Sequence, residues 1–342
     1  MGKSSKTEQL KKDLLVKIRT GLIMPGESIP SENQLCNQYG ITRPTVRQVL
    51  SELCRINLLE KRPGIGTFVK DPNMPPEDFF SELYIGSDIF FELSEYYAVH
   101  VVRGIQGSKF VRNCYFTPVC VKTPRESQME SADALLLSSF YPKIRTLASR
   151  FTKPVVILNR VEPMENVGMI YVDHYSEAKR GVDYLIKYGH RKIALIGDDS
   201  YQDPVTLSRC HGWSDAFAEN GLEIPGPEYR IPFNEVGQHC DDSFMERLKK
   251  LDFTAMFFTK GITFIATHAY LKNYFGKKFY DFKILIFDDL SKLNIFNELS
   301  ALFIKQPLEE QGALAIEYLR HKVYDSAYPV IHKKLNCTLI IQ

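Results

Sequence analysis

Thr42, Arg43, Thr45 and Arg47 put two guanidinium groups and two hydroxyls within six positions. A guanidinium fork matches guanine edges or phosphate oxygens, and a hydroxyl can donate to phosphate, so the set suits nucleic-acid contact. Downstream, Gly64 and Gly66 bracket Ile65 in a Pro-Gly-Ile-Gly turn whose missing side chains would let it approach a polymer backbone closely. Each feature alone also fits a solvated surface or a helix cap; the combination points to nucleic acid. Reactive chemistry has no comparable set. The chain lacks Walker A, GxGxxG, HExxH and GxSxG patterns. Its seven cysteines are odd in number and scattered, with no CxxC and no Cys/His cluster at metal spacing. The expectation is a protein that is not an enzyme, takes no cofactor, holds no structural metal and works in a reducing compartment.

The elements that must position these side chains can be read from apolar spacing. Leu10, Leu14, Leu15, Ile18 and Leu22 recur every three or four residues after Thr7, as one buried helix face requires. Ser31 opens a second helix that Gly40 ends. Thr42 as hydroxyl N-cap and Pro44 in the first turn start a third helix, with Val46, Val49, Leu50 and Leu53 inward. Arg43, Thr45 and Arg47 then lie away from the core at its N-terminal end, where a helix entering a major groove shows side chains to bases and amides to phosphate. Leu58–Arg62 and Thr67–Lys70, joined through Gly64, read as a hairpin. Three short helices and a basic hairpin describe a winged helix-turn-helix.

Charge agrees with that placement. Residues 1–72 carry 12 Lys+Arg against 7 Asp+Glu, net +5, whereas the whole chain of 342 residues is only +2. At 44% hydrophobic and 25% charged the composition is globular, and the length suits two or three domains. No apolar leader and no uncharged apolar run of membrane-spanning length occurs, so a cytoplasmic protein with no membrane partner is expected. The proline-rich stretch at 72–80 reads as a linker between a domain at 1–71 and a larger one at 81–342. In the larger part, apolar runs at 134–137, 154–158, 192–197, 255–259 and 284–288 alternate with helical patterns at 175–188, 208–220 and 262–274. That alternation means parallel βαβ sheets, and two such series imply two doubly wound lobes with a cleft between them.

Residues 7–70 resemble the DNA-binding domain of the GntR family of bacterial regulators, through Pro25-Gly26, Ile29-Pro30-Ser31-Glu32, Tyr39-Gly40-Ile41-Thr42-Arg43-Pro44-Thr45-Val46-Arg47 and Gly64-Ile65-Gly66-Thr67-Phe68-Val69. The resemblance implies that Arg43, Thr45 and Arg47 read or clamp an operator, with the Gly64–Gly66 tip in the minor groove. Residues 130–325 resemble the effector domain of the LacI/GalR family, similar in fold to periplasmic sugar-binding proteins. That match is carried by Pro154-Val155-Val156, Gly189-His190-Arg191-Lys192-Ile193-Ala194-Leu195-Ile196-Gly197, Arg209-Cys210-His211-Gly212-Trp213, Ile284-Leu285-Ile286-Phe287-Asp288-Asp289 and Gln306-Pro307. It implies that Arg209, placed at a strand-to-helix junction, and Asp288 are effector ligands; an interlobe salt bridge and a helix-start cap are their structural alternatives. Lys260-Gly261 stands where the family often has Asn-Asp, which alters a contact expected there. Residues 80–130 match only through Arg103-Gly104-Ile105-Gln106-Gly107, so a shortened or divergent first lobe is expected.

The combination is similar to arabinose-repressor-like proteins. It implies a homodimeric repressor whose affinity for double-stranded operator DNA is set by a small effector, a sugar, held between the lobes. A regulator with a purine or sugar-phosphate corepressor, or a cytoplasmic sugar-binding module without specific DNA binding, is the alternative.

Overall fold

A computed structural model describes residues 6–70, 81–91, 96–120, 129–138, 144–161, 164–197, 203–233 and 242–342. The proposed linker at 72–80 lies outside them. In chain order the first elements are α1 (Lys6–Arg19), α2 (Glu32–Tyr39), α3 (Arg43–Arg55), β1 (Leu59–Arg62) and β2 (Gly66–Val69). The apolar stripe of each helix turns inward, so Leu10, Leu14, Ile18, Leu35, Val46, Val49, Leu50 and Leu53 share one core with Leu59 and Val69 of the hairpin. Ser31 and Gln34 form a reciprocal capping box at the start of α2, and Gly40 closes it in the left-handed conformation that lets the chain turn into α3.

The remaining elements are β3 (Leu83–Ser87), α4 (Tyr96–Gly107), β4 (Cys114–Pro118), β5 (Ala134–Leu137), α5 (Ile144–Arg150), β6 (Val155–Leu158), β7 (Val167–Val172), α6 (His174–Lys187), β8 (Ile193–Gly197), α7 (Pro204–Glu219), β9 (Arg230–Pro232), α8 (Asp242–Lys249), β10 (Ala255–Phe258), α9 (Gly261–Phe275), β11 (Lys283–Phe287), β12 (Ala301–Lys305), α10 (Leu308–Tyr324), β13 (His332–Leu335) and β14 (Thr338–Ile341). They build two six-stranded sheets, ordered β13-β7-β6-β5-β3-β4 and β14-β12-β11-β10-β8-β9. All pairings are parallel except β12 with β14. Central strands covered by helices on both faces are buried along their whole length, which is why β5, β6, β8 and β10 read as unbroken apolar runs. The chain crosses between lobes after β7, after β12 and between β13 and β14.

The first lobe is not shortened. Among the described residues its sheet has as many strands as the second, and β3 and β4 supply two of them from the region matched only through Arg103–Gly107. Gly86 hides β3 from sequence reading: it interrupts the apolar run, yet a Cβ there would meet Leu135 and Val119. The six described cysteines outside residue 240 are free thiols. Among the described residues no helix is long and apolar enough to cross a membrane.

Candidate functional site

The N-terminal end of α3 carries Thr42, Arg43 and Arg47 exposed, with Thr45 half-buried. Thr42 occupies the N-cap with extended backbone, but its hydroxyl does not cap the helix; it pairs with the Thr45 hydroxyl at 2.9 Å. The first turn of α3 is therefore left without a side-chain cap, facing outward beside two arginines. Arg43 and Arg47 converge on one acceptor, the Glu32 carboxylate at the start of α2, at 3.6 and 2.9 Å from their Nε atoms. Sequence reading missed Glu32 because the pair spans two helices. At the hairpin, Gly64 (φ 76°) and Gly66 (φ 150°) take conformations that side chains resist, and Ile65 between them is 75% exposed. Arg62 lies over the Phe68 ring at 4.4 Å and pairs with Glu60. Helix end and hairpin tip thus present a basic, hydroxyl-bearing surface with a bare turn.

The second constellation lies where the carboxyl ends of the two sheets meet. Arg209 is not at a strand-to-helix junction: Asp203 caps α7 by accepting from the Val205 N–H, and Pro204 starts it, so Arg209 sits more than a turn inside the helix. It is 4% exposed, lies over the Phe287 ring at 3.7 Å, and donates to the Thr259 carbonyl at 2.5 Å and to His174 Nδ1 at 3.2 Å. Among the described residues, its Nε–H and the Thr259 hydroxyl are buried without a partner. Burial lowers the Arg209 pKa, opposed by the fields of Asp288 and Asp203.

Asp288 follows β11 at φ 121°, a strained angle for a residue with a side chain. Its Oδ2 accepts the Gly261 N–H at the start of α9 and its Oδ1 accepts from Gln306 Nε2 at 2.8 Å. Burial raises its pKa, with the Arg209 charge pulling the other way. The structure thus gives Asp288 the helix-start contact that was its alternative role. Gly261 serves through its amide, and Lys260 Nζ stands 3.6 Å from Asp203.

From Asp288 a chain of buried amides crosses the hinge. Gln306 Oε1 accepts from Asn159 Nδ2 at 3.0 Å, and Asn159 Oδ1 accepts from Gln311 Nε2 at 3.2 Å. Asn159 belongs to the first lobe and Asp288 to the second. Tyr96 of α4, in the first lobe, lies near Asp288 and Asp289 of the second, whose carboxylates add to burial in raising the pKa of its phenol. Arg209 and Asp288 are brought into one cluster, and Asn159, His174, Thr259 and Gln306 join them. Lone polar residues at strand ends give no signal of such clustering until the strands are assembled.

Residues 6–69 match the family described as bacterial regulatory proteins, gntR family, and residues 123–238 match periplasmic binding proteins and the sugar-binding domain of the LacI family. The chain is similar to the arabinose metabolism transcriptional repressor of Geobacillus stearothermophilus, 25% identical over 244 residues, which is 66% of this chain and 64% of that protein. A protein of the same name from Halalkalibacterium halodurans is 25% identical over 243 residues, 66% of this chain and 63% of its own length. The chain thus spans under two thirds of these relatives. The HTH-type transcriptional repressor NagR of Bacillus subtilis is 42% identical over 66 residues, 19% of this chain and 27% of that protein. Among solved structures, the transcriptional regulator CelR–cellobiose complex superposes with a TM-score of 0.61 at 17% identity, covering 87% of this chain and 89% of that one. A ribose-bound LacI family regulator from Enterococcus faecium gives 0.62 at 15% identity, covering 75% and 96%. The chain joins a GntR-type helix-turn-helix domain to a LacI-type, periplasmic-binding-protein-like domain.

Proposed function

We propose that this protein is a DNA-binding transcriptional repressor whose operator affinity is set by a sugar bound between the two lobes. The observation that carries the reading is one chain holding both an outward-facing, arginine-bearing α3 and a polar cluster buried where two parallel sheets meet at their carboxyl ends, the place where open α/β sheets take ligands. We take the DNA-contacting set as Thr42, Arg43, Thr45 and Arg47 on α3 with Gly64 and Gly66 at the wing. Arg209 and Asp288 form the effector set. The unfilled Arg209 Nε–H and Thr259 hydroxyl are groups that a sugar hydroxyl would satisfy. To accept a diol, the Asp288 carboxylate exchanges a bond it now takes from Gln306, so binding and the hinge share one atom. The names of the arabinose repressors make arabinose the first sugar to try.

The domains are taken as 1–71 and 81–342 with a linker between. The protein acts by binding and not by turnover, in the cytoplasm where the chromosome lies. Its assembly is taken as a homodimer: the outward side of α9 carries Ile265, Tyr270 and Tyr274, each at least 40% exposed, and large apolar groups gathered on one helix call for a second surface. The test is Arg43→Ala with Arg47→Ala. Specific binding to the DNA upstream of its own gene should be lost and the salt dependence flattened by about two phosphate contacts; an unchanged salt slope overturns the reading.

A further inference from the structure

α10 runs without a break for 17 residues, about 25 Å at the α-helical rise. Its first turn reaches the hinge through Gln311, the end of the amide chain that leads through Asn159 and Gln306 to Asp288. Its far end reaches the winged helix. Arg320, 1% exposed, donates from Nε to the Phe110 carbonyl at 2.9 Å, from Nη1 to the Thr20 carbonyl at 3.0 Å, and from Nη2 to the Arg112 carbonyl and the Cys114 sulfur. Thr20 is the residue that follows α1. One buried guanidinium therefore ties α10, the turn between α4 and β4, and the winged helix together through main-chain acceptors.

Two further bonds cross the same junction: the Ser81 N–H donates to the Arg19 carbonyl at 2.8 Å, and Lys109 pairs with Glu27 at 2.7 Å. Among the described residues no shared core supports them. The winged-helix core is made wholly of residues between Leu10 and Val69. A cavity of about 530 Å³ opens beside the joint, lined in part by Lys11, Leu15, Val16, Arg19 and Tyr324. A contact held by polar bonds around one buried cation is directional and fixes orientation, whereas an apolar seam is not directional. On the lobe side the attachment is stiff. α4 and α10 touch backbone to backbone, since a Cβ on Gly104 would strike the Glu309 carbonyl and one on Gly312 the Val101 carbonyl.

We propose that Arg320 is the joint that fixes the winged helix to the first lobe, so that both turn as one body and α10 carries the state of the interlobe hinge to the helix that contacts DNA. The part concerning DNA rests on the regulator reading; the joint does not.

Nitrogen-15 relaxation of the full-length protein, without DNA or sugar, tests the joint. In the unmodified chain, amides of residues 6–69 should share the rotational correlation time of the lobes. Arg320→Met should lower it at least twofold for residues 6–69 while the lobe resonances persist. Lys109→Ala removes an exposed ion pair on which no core depends, keeps the test open should Arg320→Met fail to fold, and should give a smaller drop in the same direction. Independent tumbling in the unmodified chain, or an unchanged correlation time in the folded variants, overturns the proposal. With upstream duplex and arabinose as probes, Arg320→Met should also bring the sugar-induced change in DNA affinity to less than about twofold. A full-sized change in a variant whose winged helix tumbles freely would overturn the role of α10. A chain that tumbles as one body yet binds no DNA contradicts the regulator reading and supports the joint.

Discussion

His174 stands inside the interlobe junction with its Nδ1 accepting from Arg209, and both burial and that neighbouring cation hold its pKa well below the ordinary 6.5. The folded protein therefore binds fewer protons here than the unfolded chain once the pH falls below 6.5. Stability is fully present above that value and is lost as the pH drops, with a slope of up to about 1.4 kcal/mol per pH unit for one proton. His190 and His321, also lowered by burial, add to the same trend. Urea unfolding followed from about pH 7.5 to about 5.5 should show the loss, and His174→Gln should remove the largest share of it; an unchanged slope in that variant would show that His174 is charged in the fold. On the DNA side, Arg47→Ala alone should weaken operator binding by about 1–3 kcal/mol in a titration, the range for one well-placed arginine. The types of these residues were legible: Arg43, Arg47, Arg209 and Asp288 announced donors and acceptors. Their partners were not, because Glu32, His174, Thr259 and Gln306 become neighbours only when separate elements pack.

Elements whose boundaries rest on local chemistry could be read directly. Ser31 and Gln34 cap α2, Gly40 ends it, and the apolar stripe of α3 fixes which face carries the arginines. Ser31→Ala should lower the stability of the winged helix by about 1 kcal/mol in thermal unfolding, with the sensor lobes unaffected. Where tertiary contact decides, local reading failed. α7 begins at Pro204, ahead of the periodic stretch that suggested its start, and β3 depends on a glycine that only the neighbouring strand and loop explain. The same holds for the α4–α10 pair. Gly312→Ala forces a methyl onto the Val101 carbonyl and should destabilise the sensor by about 1–3 kcal/mol, read from the urea midpoint. A variant as stable as the original would mean that the two helices are free to part.

At the scale of the whole molecule, the buried polar cluster stands at one end of α10 and the winged helix at the other. Two lobes joined by three crossings can close on a ligand, and closure redirects whatever the first lobe holds. Under the proposed reading, closure in a dimer changes the separation of two α3 helices and hence their fit to operator half-sites. Tyr270→Glu on the outward face of α9 should yield a monomer in sedimentation and weaken operator binding along with it. The fold class and the two doubly wound lobes followed from alternating apolar runs, but how the winged helix sits on the first lobe did not, since Arg320 looks like any helical arginine until its four acceptors surround it. The most direct test of the central claim is salt-dependent binding of the full-length protein to the DNA upstream of its own gene, with and without arabinose and a panel of other pentoses, hexoses and nucleosides. The account predicts specific binding that one sugar weakens by about 5- to 150-fold, the usual range of allosteric coupling. Binding that no sugar alters, or no specific binding at all, would contradict it.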